Sequence, residues 1–255
     1  MIAEWIEYLT TPCPRYVREM GYLRESIGIR SRYRRQAKAW APHLENSRRV
    51  ILSSVERCDN KHTVVIFGGG LIYDLPLAEL VDAFDEIILV DLVHLQPARQ
   101  AARKWQKVRL ETLDLTASLE GIYRGGRDVV PPSFFLDDPA ISLVVSANIA
   151  SQLTILPVEW MNSRFGTDAQ AGETLARQLI QSHLDYIRRF NCPVCLISDV
   201  ARLYYDHEGN QIGREDALHG IDPGSVDERW SWNVAPVGEV DRHQGVTNEV
   251  AALFF

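Results

Sequence analysis

The hydrophobic and polar positions of this chain follow one pattern in residues 1–60 and a different one from residue 61 onward. In residues 1–60, apolar side chains recur every three to four positions, a spacing typical of amphipathic helices. Two such series are Trp5, Ile6 and Leu9, and then Tyr16, Met20, Leu23 and Ile27. Pro12 and Pro14 separate the first two helices, and a longer helix is predicted over residues 31–57. Residues 1–60 are therefore predicted to form an N-terminal helical cap.

From residue 61 onward, short apolar runs alternate with helical patterns. The predicted strands are 63–67, 86–90, 108–113, 141–146 and 194–198. The main predicted helices are 73–83, 95–105 and 172–190, the last with an apolar face formed by Leu175, Leu179, His183, Tyr186 and Ile187. This alternation predicts an α/β fold of Rossmann-like type over residues 61–255, with a mostly parallel sheet and helices on both faces.

The C-terminal part departs from the alternation of strands and helices. Its apolar segments are 203–212, 230–236 and 249–255. Large apolar and polar residues alternate in the second of these, so Trp230 and Trp232 are predicted to pack on one face. Antiparallel strands are therefore expected at one edge of the sheet.

Three glycines follow the first predicted strand, and an aspartate ends the second. Gly68, Gly69 and Gly70 lack a Cβ, so the backbone there can approach a ligand closely. The helix predicted after them would present its N-terminal N–H groups to the ligand. Asp91 is placed to accept hydrogen bonds from a ribose diol. Together these residues predict a site for a nucleotide-like ligand.

Composition excludes some classes of protein. The 255 residues are 46% hydrophobic and 24% charged, as in an ordinary globular domain. A formal charge of −7 argues against general affinity for nucleic acid, which needs a basic surface. The sequence has neither an apolar run of about 20 residues nor a signal-peptide pattern. No membrane association and a cytoplasmic location are therefore expected.

Cysteine spacing adds no clear chemistry. Cys192 and Cys195 have the Cys-x-x-Cys spacing, but they open an apolar run rather than a strand-to-helix turn. A zinc site needs four ligands, and no second close cysteine pair occurs in the sequence. Ordinary core cysteines and no metal site are the expectation, because free cysteine is commonly buried.

Two classes of cofactor use a glycine-rich turn of this kind. A nicotinamide enzyme prefers Gly-x-Gly-x-x-Gly, whose third glycine allows close helix–strand packing, and that position is Tyr73 here. The chain from about residue 61 to residue 198 more closely resembles the class I S-adenosylmethionine-dependent methyltransferases. The resemblance is carried by the glycines, by Asp91 and by Asp114 after the third strand. It implies that Asp91 holds the ribose and that Asp114 bonds the adenine amino group.

The same resemblance implies S-adenosyl-L-methionine as the cofactor. The cofactor-binding residues that it implies are Gly68, Gly69, Gly70, Asp91, Leu92, Asp114, Leu115 and Asn148. One position departs from the family pattern: many members carry an acid two residues before the first glycine, where this chain has Ile66. Asp74, beyond the glycines, is a candidate to compensate, or it is simply a residue favoured near a helix start.

Several functions stay open on this pattern. Methyl transfer to a small-molecule acceptor is the favoured one, because Ser146-Ala147-Asn148 after the fourth strand differs from the motif of nucleic-acid amino methylases. The glycine triplet also resembles polyamine synthases, which are aminopropyl-transferring relatives, although their acidic substrate loop is not found. A non-catalytic ligand-binding scaffold of the same fold is a further alternative, supported by Ile66, and an NAD-dependent oxidoreductase is disfavoured by Tyr73.

The acceptor would bind outside the carboxyl ends of the strands, where ligands of such sheets bind. The candidate substrate-binding residues there are Tyr73, His94, Gln152, Asp199 and Tyr204. Asp199 is expected to end the fifth strand. The sequence pattern does not indicate which residue, if any, acts as a general base. A homodimer stays open, since a sheet edge and a helical cap are both suited to one.

Overall fold

One sheet of eight strands organises the molecule. The computed structural model describes residues 2–255, with side chains from Glu4 onward. The strands are β1 (Thr63–Phe67), β2 (Glu86–Asp91), β3 (Val108–Thr112), β4 (Ile141–Ala147), β5 (Val194–Tyr205), β6 (Gln211–Asp216), β7 (Glu228–Ala235) and β8 (Gly245–Phe254). Their order in the sheet is β3-β2-β1-β4-β5-β8-β7, with β6 paired to the outer part of β5.

The first five strands are parallel and the last three are antiparallel. All five residues of β1 and all seven of β4 are buried. Such continuous burial is typical of strands in a sheet whose two faces are both covered by helices. The predicted Rossmann-like fold with an antiparallel C-terminal edge is therefore confirmed. The strand order reverses between β1 and β4, and a crevice at such a switch point is the usual ligand site of this fold.

Eight α-helices pack on the sheet and over one of its ends. They are α1 (Ile2–Thr10), α2 (Arg15–Glu19), α3 (Tyr22–Val55), α4 (Leu77–Ala83), α5 (Gln96–Lys104), α6 (Leu119–Tyr123), α7 (Ile155–Phe165) and α8 (Ala169–Ile187). The predicted apolar face of α8 is buried in full. Within residues 2–255, no helix is long and apolar enough to cross a bilayer.

Helix α3 is longer than the sequence pattern predicts. It begins at Tyr22 rather than near Ser31, and its last three turns pack into the same core as the strands through Val50, Ile51 and Val55. The backbone leaves helical geometry at Gln36, where φ is −112° and ψ is 21°. This bend lets one helix follow the sheet at its end and cross above the cavity at its start. The division of the chain into residues 1–60 and 61–255 stays a prediction.

Two predicted boundaries near the site are wrong. Helix α4 begins at Leu77 and not at Tyr73, because Pro76 disfavours helical geometry at the residue before it. No helix N-terminus therefore follows the glycines directly. Strand β5 continues to Tyr205, because pairing with β8 extends it beyond the parallel part of the sheet. Asp199 consequently lies within the strand and does not end it.

Candidate ligand-binding site

A cavity of about 360 Å³ opens at the carboxyl ends of the parallel strands. Its floor is formed by the turns that follow β1 to β4, and its walls by β5, β7, β8, α3 and α7. Two groups of residues meet in it. The loop side consists of Gly68, Gly70, Asp74, Asp91, Asp114 and Asn148, and the aromatic side consists of Trp40, His43, Asp199, Arg202, Trp232 and Asn248.

Glycine is required at the loop side by close backbone approach. A Cβ on Gly70 would lie 2.5 Å from the Val93 carbonyl oxygen and 2.6 Å from Asp91 Oδ2. A Cβ on Gly68 would lie 2.5 Å from the Ala147 carbonyl oxygen, and the φ of this residue is +89°, which L side chains rarely adopt. Any side chain here would push the β1 turn away from the turns after β2 and β4.

Asp91 connects the glycine turn to the end of β2. Its Oδ2 accepts a hydrogen bond from the Gly70 N–H at 2.9 Å, and its Oδ1 accepts one from the Val93 N–H at 3.3 Å. Removal from water raises the pKa of Asp91, and the nearby His94 and these N–H groups oppose that rise. A carboxylate offers about four acceptor directions, so the two used here leave room for a ligand hydroxyl.

Asp114 organises the turn after β3. One of its oxygens accepts hydrogen bonds from the Thr116 N–H and hydroxyl at 2.9 and 2.7 Å, and the other accepts one from the Leu119 N–H at 2.8 Å. The side chain therefore holds the start of α6 in place. Three of about four acceptor directions are used, so one is left for a ligand in the cavity.

Asn148 and Asp74 join the end of β4 to the segment after the glycines. The Asn148 amide donates to Asp74 Oδ2 at 2.8 Å, and its own carbonyl oxygen, Oδ1, has no hydrogen-bond partner in the described part of the chain. Gln152 donates to the backbone carbonyl of Asn148. Burial raises the pKa of Asp74, and the bond from Asn148 opposes that rise. The sequence pattern therefore placed Asn148 and Gln152 correctly at the cavity wall.

The position of the usual strand-one acid is apolar and buried in this chain. Ile66 is fully buried in the core beneath α3, among apolar side chains of the sheet. An ionised group there would be expensive without a partner. Asp74 is the acid that this chain brings to the same region of the cavity.

A bulge in β5 builds the aromatic side. Asp199 pairs with Val250 of β8 and Arg202 pairs with Asn248, and the register shifts between these two pairs. Residues three apart in a regular strand face opposite sides of the sheet, and the extra residue of the bulge brings both side chains to the cavity. Trp232 of β7 pairs with Asn248 in turn. A row across three strands therefore faces α3.

Asp199 is deeply buried, with 3% of its surface exposed. Its Oδ2 accepts a long hydrogen bond of 3.4 Å from the Ser151 hydroxyl, and its Oδ1 has no partner among the described residues. Burial raises its pKa to about 6, and Arg202, Ser151 and Asn248 oppose the rise. A carboxylate of this kind is suited to accepting a proton near neutral pH.

Aromatic rings from the N-terminal helix complete this side. The ring of His43 stacks on Trp232 with centroids 4.0 Å apart, and its Nδ1 accepts a hydrogen bond from the Trp230 indole at 3.0 Å. Burial lowers the pKa of His43 to about 3, so the ring is neutral at physiological pH. The rings of Trp40 and Trp232 meet edge to face, with centroids 4.9 Å apart. The predicted common face of Trp230 and Trp232 is confirmed, and it faces α3.

Helix α3 supplies cavity residues that the sequence pattern did not single out. Tyr22 lies at its start, where burial and the nearby carboxylates of Asp114 and Asp91 raise the pKa of its hydroxyl. Trp40 and His43 come from the same helix, beyond the bend at Gln36. Their apolar spacing predicts only a buried helix face, because packing across more than a hundred residues of chain decides what that face meets.

The predicted site residues are only partly brought together. Those that line the cavity are Gly68, Gly70, Tyr73, Asp91, Leu92, Asp114, Leu115, Asn148, Gln152 and Asp199. Gly69 instead packs on Leu89. His94 is buried beside the turn, with Nε2 3.0 Å from the Glu111 carbonyl oxygen, and Tyr204 donates from its hydroxyl to Glu215 on β6 at 2.7 Å. Neither of these two side chains lines the cavity.

Several solved structures are similar to this chain. Similar structures include a 1,6-didemethyltoxoflavin-N1-methyltransferase from Burkholderia thailandensis with bound S-adenosylhomocysteine, at 13% identity and a TM-score of 0.43, covering 94% of this chain and 91% of that one. The N-methyltransferase NodS of Bradyrhizobium japonicum WM9 is 11% identical, with a TM-score of 0.37 over 81% and 94% of the two chains.

A complex of DhpI with SAH is similar at 14% identity, with a TM-score of 0.37 over 88% of this chain and 92% of that one. No family model matches the sequence, and no curated protein matches it significantly.

Proposed function

We propose that this protein binds S-adenosyl-L-methionine on the loop side of the cavity and transfers its methyl group to a small molecule on the aromatic side. The observation that carries the proposal is the hydrogen bond from the Gly70 N–H to the Asp91 carboxylate. It fixes a carboxylate at the end of β2 against a backbone turn on which a Cβ would collide with Val93 and Asp91. A ribose diol is the ligand group that such a carboxylate accepts best.

The loop side fits the other parts of the cofactor as well. Asp114 keeps one acceptor direction for the adenine amino group, and Leu92 and Leu115 provide apolar surface for the ring. Asp74, at the far end of the same side, is the acid available for the methionine ammonium. The unpartnered Oδ1 of Asn148 is a second acceptor beside it. The ribose, the adenine amino group and the ammonium of the cofactor therefore each have a counterpart.

The chain's own contribution to the reaction is to position donor and acceptor and to exclude water from the cavity. When bound, S-adenosylmethionine would supply a methyl group attached to a positively charged sulfur. The acceptor atom would attack the methyl carbon in line with the carbon–sulfur bond, and the sulfur would leave as a thioether. Helix α3 covers the cavity through Tyr22, Ile29 and Trp40 and so limits the access of water. Holding donor and acceptor in one closed space accounts for much of the rate enhancement in such a displacement.

Calorimetric titration tests the proposal directly. Wild type is expected to bind S-adenosylmethionine and S-adenosylhomocysteine in the micromolar range and NAD(H) much more weakly, because Tyr73 fills the third glycine position and stacks on Tyr33. Asp91→Ala should lose this binding. Asp82→Ala, an exposed change on α4, is the matched control and should keep it. Tight binding of NAD(H) alone, or equal binding by Asp91→Ala, would refute the proposal.

A further inference from the structure

Unpartnered polar atoms are concentrated on the aromatic side of the cavity. Asp199 Oδ1, Asn248 Oδ1 and Trp232 Nε1 are buried and have no hydrogen-bond partner within residues 4–255. Their side chains are 3%, 4% and 8% exposed, and all three line the cavity. Buried polar groups without partners are rare and destabilising. Three together at one wall indicate that a ligand supplies the partners.

The chemistry of these atoms describes that ligand. Asp199 Oδ1 and Asn248 Oδ1 are acceptors, so they need an N–H or O–H group, whereas the Trp232 indole is a donor only and needs an acceptor atom. The surrounding walls are the rings of Trp40, His43 and Trp232. Rings of this kind favour a flat aromatic partner in an offset or edge-to-face arrangement.

The charges around the same wall favour a neutral ligand. Arg202 of β5 and Arg32 of α3 line the cavity together with Glu25 of α3 and Glu159 of α7, so a charged acceptor of either sign would face a like charge. A carboxylate on the ligand would face Asp199. The other groups that act on Asp199 are uncharged: Ser151 from the turn after β4 and Asn248 from β8.

We propose, on the basis of the proposed function, that the acceptor is a neutral aromatic or heteroaromatic ring bearing an N–H or O–H group, and that Asp199 binds this group and accepts its proton. In the transfer step the lone pair of the ring nitrogen or oxygen forms a bond to the methyl carbon. The carbon–sulfur bond breaks and its electron pair stays on sulfur. The proton of the N–H or O–H moves to Asp199 Oδ1 and from there to water.

The position of Asp199 in its strand supports this role. The bulge that follows it brings Arg202 to the same wall, and Arg202 keeps the pKa of this carboxyl from rising further than about 6. The carboxylate is therefore ionised at neutral pH and still basic enough to take a proton. Asp199 is a catalytic residue in this account because it contacts the reacting group.

Ring probes test the inference without knowledge of the natural acceptor. The probes are indole and phenol, each with its methylated counterpart, 1-methylindole and anisole, which lack the N–H or O–H. Saturation-transfer NMR titrations are run with and without S-adenosylhomocysteine. Wild type is expected to bind the N–H or the O–H ring at least about tenfold more tightly than its methylated counterpart, a difference of about 1.4 kcal/mol. The pair that shows this preference identifies the acceptor atom as nitrogen or oxygen.

Asp199→Asn is the decisive variant, and exposed Asp185→Asn on α8 is its matched control. We expect Asp199→Asn to lose the preference for the N–H or O–H ring while it still binds S-adenosylhomocysteine as wild type does. In wild type the preference should decrease as the pH falls through about 6, and in the variant it should not change with pH.

Two results would overturn the inference. One is equal binding of methylated and unmethylated rings, or no binding of any ring at millimolar concentration. The other is a preference that Asp199→Asn retains. Failure of S-adenosylhomocysteine to bind wild type is a separate result, which would refute the proposed function, and the ring titrations without it would still measure the preference.

Discussion

The two sides of the cavity are built in opposite ways. On the loop side, short turns after parallel strands bring backbone and carboxylates together, and the oxygens of Asp91 and Asp114 already accept hydrogen bonds from N–H groups. On the aromatic side, antiparallel strands and α3 place side chains in rows, and Asp199, Trp232 and Asn248 have polar atoms without partners. On the loop side one such atom, Asn148 Oδ1, is left for a ligand, whereas on the aromatic side three are.

A side chain on Gly70 should have the largest effect, and it should act on the loop side alone. In Gly70→Ala the Cβ would lie 2.5 Å from the Val93 carbonyl oxygen, so the turn must move. We expect a loss of about 1–3 kcal/mol in the free energy of unfolding, as in other overpacked sites. Affinity for S-adenosylhomocysteine should fall at least about 100-fold, or about 2.7 kcal/mol. Thermal unfolding and calorimetric titration measure the two effects.

Gly28→Ala is the matched control for that change. Gly28 lies within α3, where a Cβ would have no neighbour within 4 Å. The substitution should raise the free energy of unfolding by about 0.5–1 kcal/mol, because alanine is the better helix former. Affinity for S-adenosylhomocysteine should stay as in wild type. If Gly70→Ala also leaves that affinity unchanged, the glycine turn does not form part of the binding site.

Asp199→Asn should stabilise the protein without ligand, in a manner that depends on pH. The folded-state pKa is about 6 against an ordinary value of 3.8, so folding holds a proton that the unfolded chain releases between these pH values. The free energy of unfolding of wild type therefore contains a penalty that grows from about pH 4 to pH 6 and is constant above. We expect Asp199→Asn to be more stable by on the order of 2 kcal/mol at pH 8 and equal at pH 4.

Denaturant unfolding of the two proteins across this range measures the difference. Burial lowers the pKa of His43 to about 3 and that of His183 to about 4, so both proteins lose stability as the pH falls below the ordinary histidine value. That loss is common to both and cancels in the comparison. A variant that is less stable than wild type at pH 8 would show that Asp199 stabilises the fold instead of serving a ligand.

Asp74→Ala should have a smaller effect on ligand affinity. It should distinguish the part of the loop side that binds the amino-acid portion of the ligand from the part that binds the nucleoside. If Asp74 holds the ammonium group, affinity for S-adenosylhomocysteine should fall by about tenfold, or about 1.4 kcal/mol. Affinity for 5′-methylthioadenosine, which lacks the amino-acid portion, should not change. Competition titrations with both compounds measure this. An equal loss for both would assign Asp74 to the shape of the turn and not to the ammonium.

Tyr204→Phe should have the smallest effect. The Tyr204 hydroxyl bonds Glu215 at the outer hairpin and does not line the cavity. Binding of S-adenosylhomocysteine and of the ring probes should change less than about twofold, within the 0.5 kcal/mol usual for surface changes. A larger change in either affinity would show that the ligand-binding surface continues along β5 to this hairpin.

The difference between the two sides also explains what the sequence could predict. Gly68, Gly70 and Asp91 follow strands directly, so local hydrophobic runs and glycine positions are enough to place them at the carboxyl ends of the sheet. Asn148 was placed by the same rule. The predicted helix start at Tyr73 was wrong because the restriction that Pro76 imposes on its neighbour outweighs the helical spacing.

On the aromatic side, local patterns predicted Asp199 and the common face of Trp230 and Trp232, but not which residues they meet. Whether Asp199 and Arg202 share a face depends on a bulge in the pairing of β5 with β8, and a bulge leaves no signal in apolar spacing. His43 and Trp232 are 189 positions apart and meet only because α3 crosses the antiparallel edge. Tyr204 was predicted at the cavity because it follows the carboxyl end of the fifth predicted strand, but that strand extends beyond the cavity to pair with β6.

A crystal structure of the complex with S-adenosylhomocysteine tests the division of the cavity most directly. The account predicts ribose hydroxyls within hydrogen-bond distance of Asp91, the adenine beside Asp114 and the thioether sulfur directed toward open space next to Asp199 and Trp232. A complex in which the ribose lies away from Asp91, or in which the ligand fills the space beside Asp199, would contradict it.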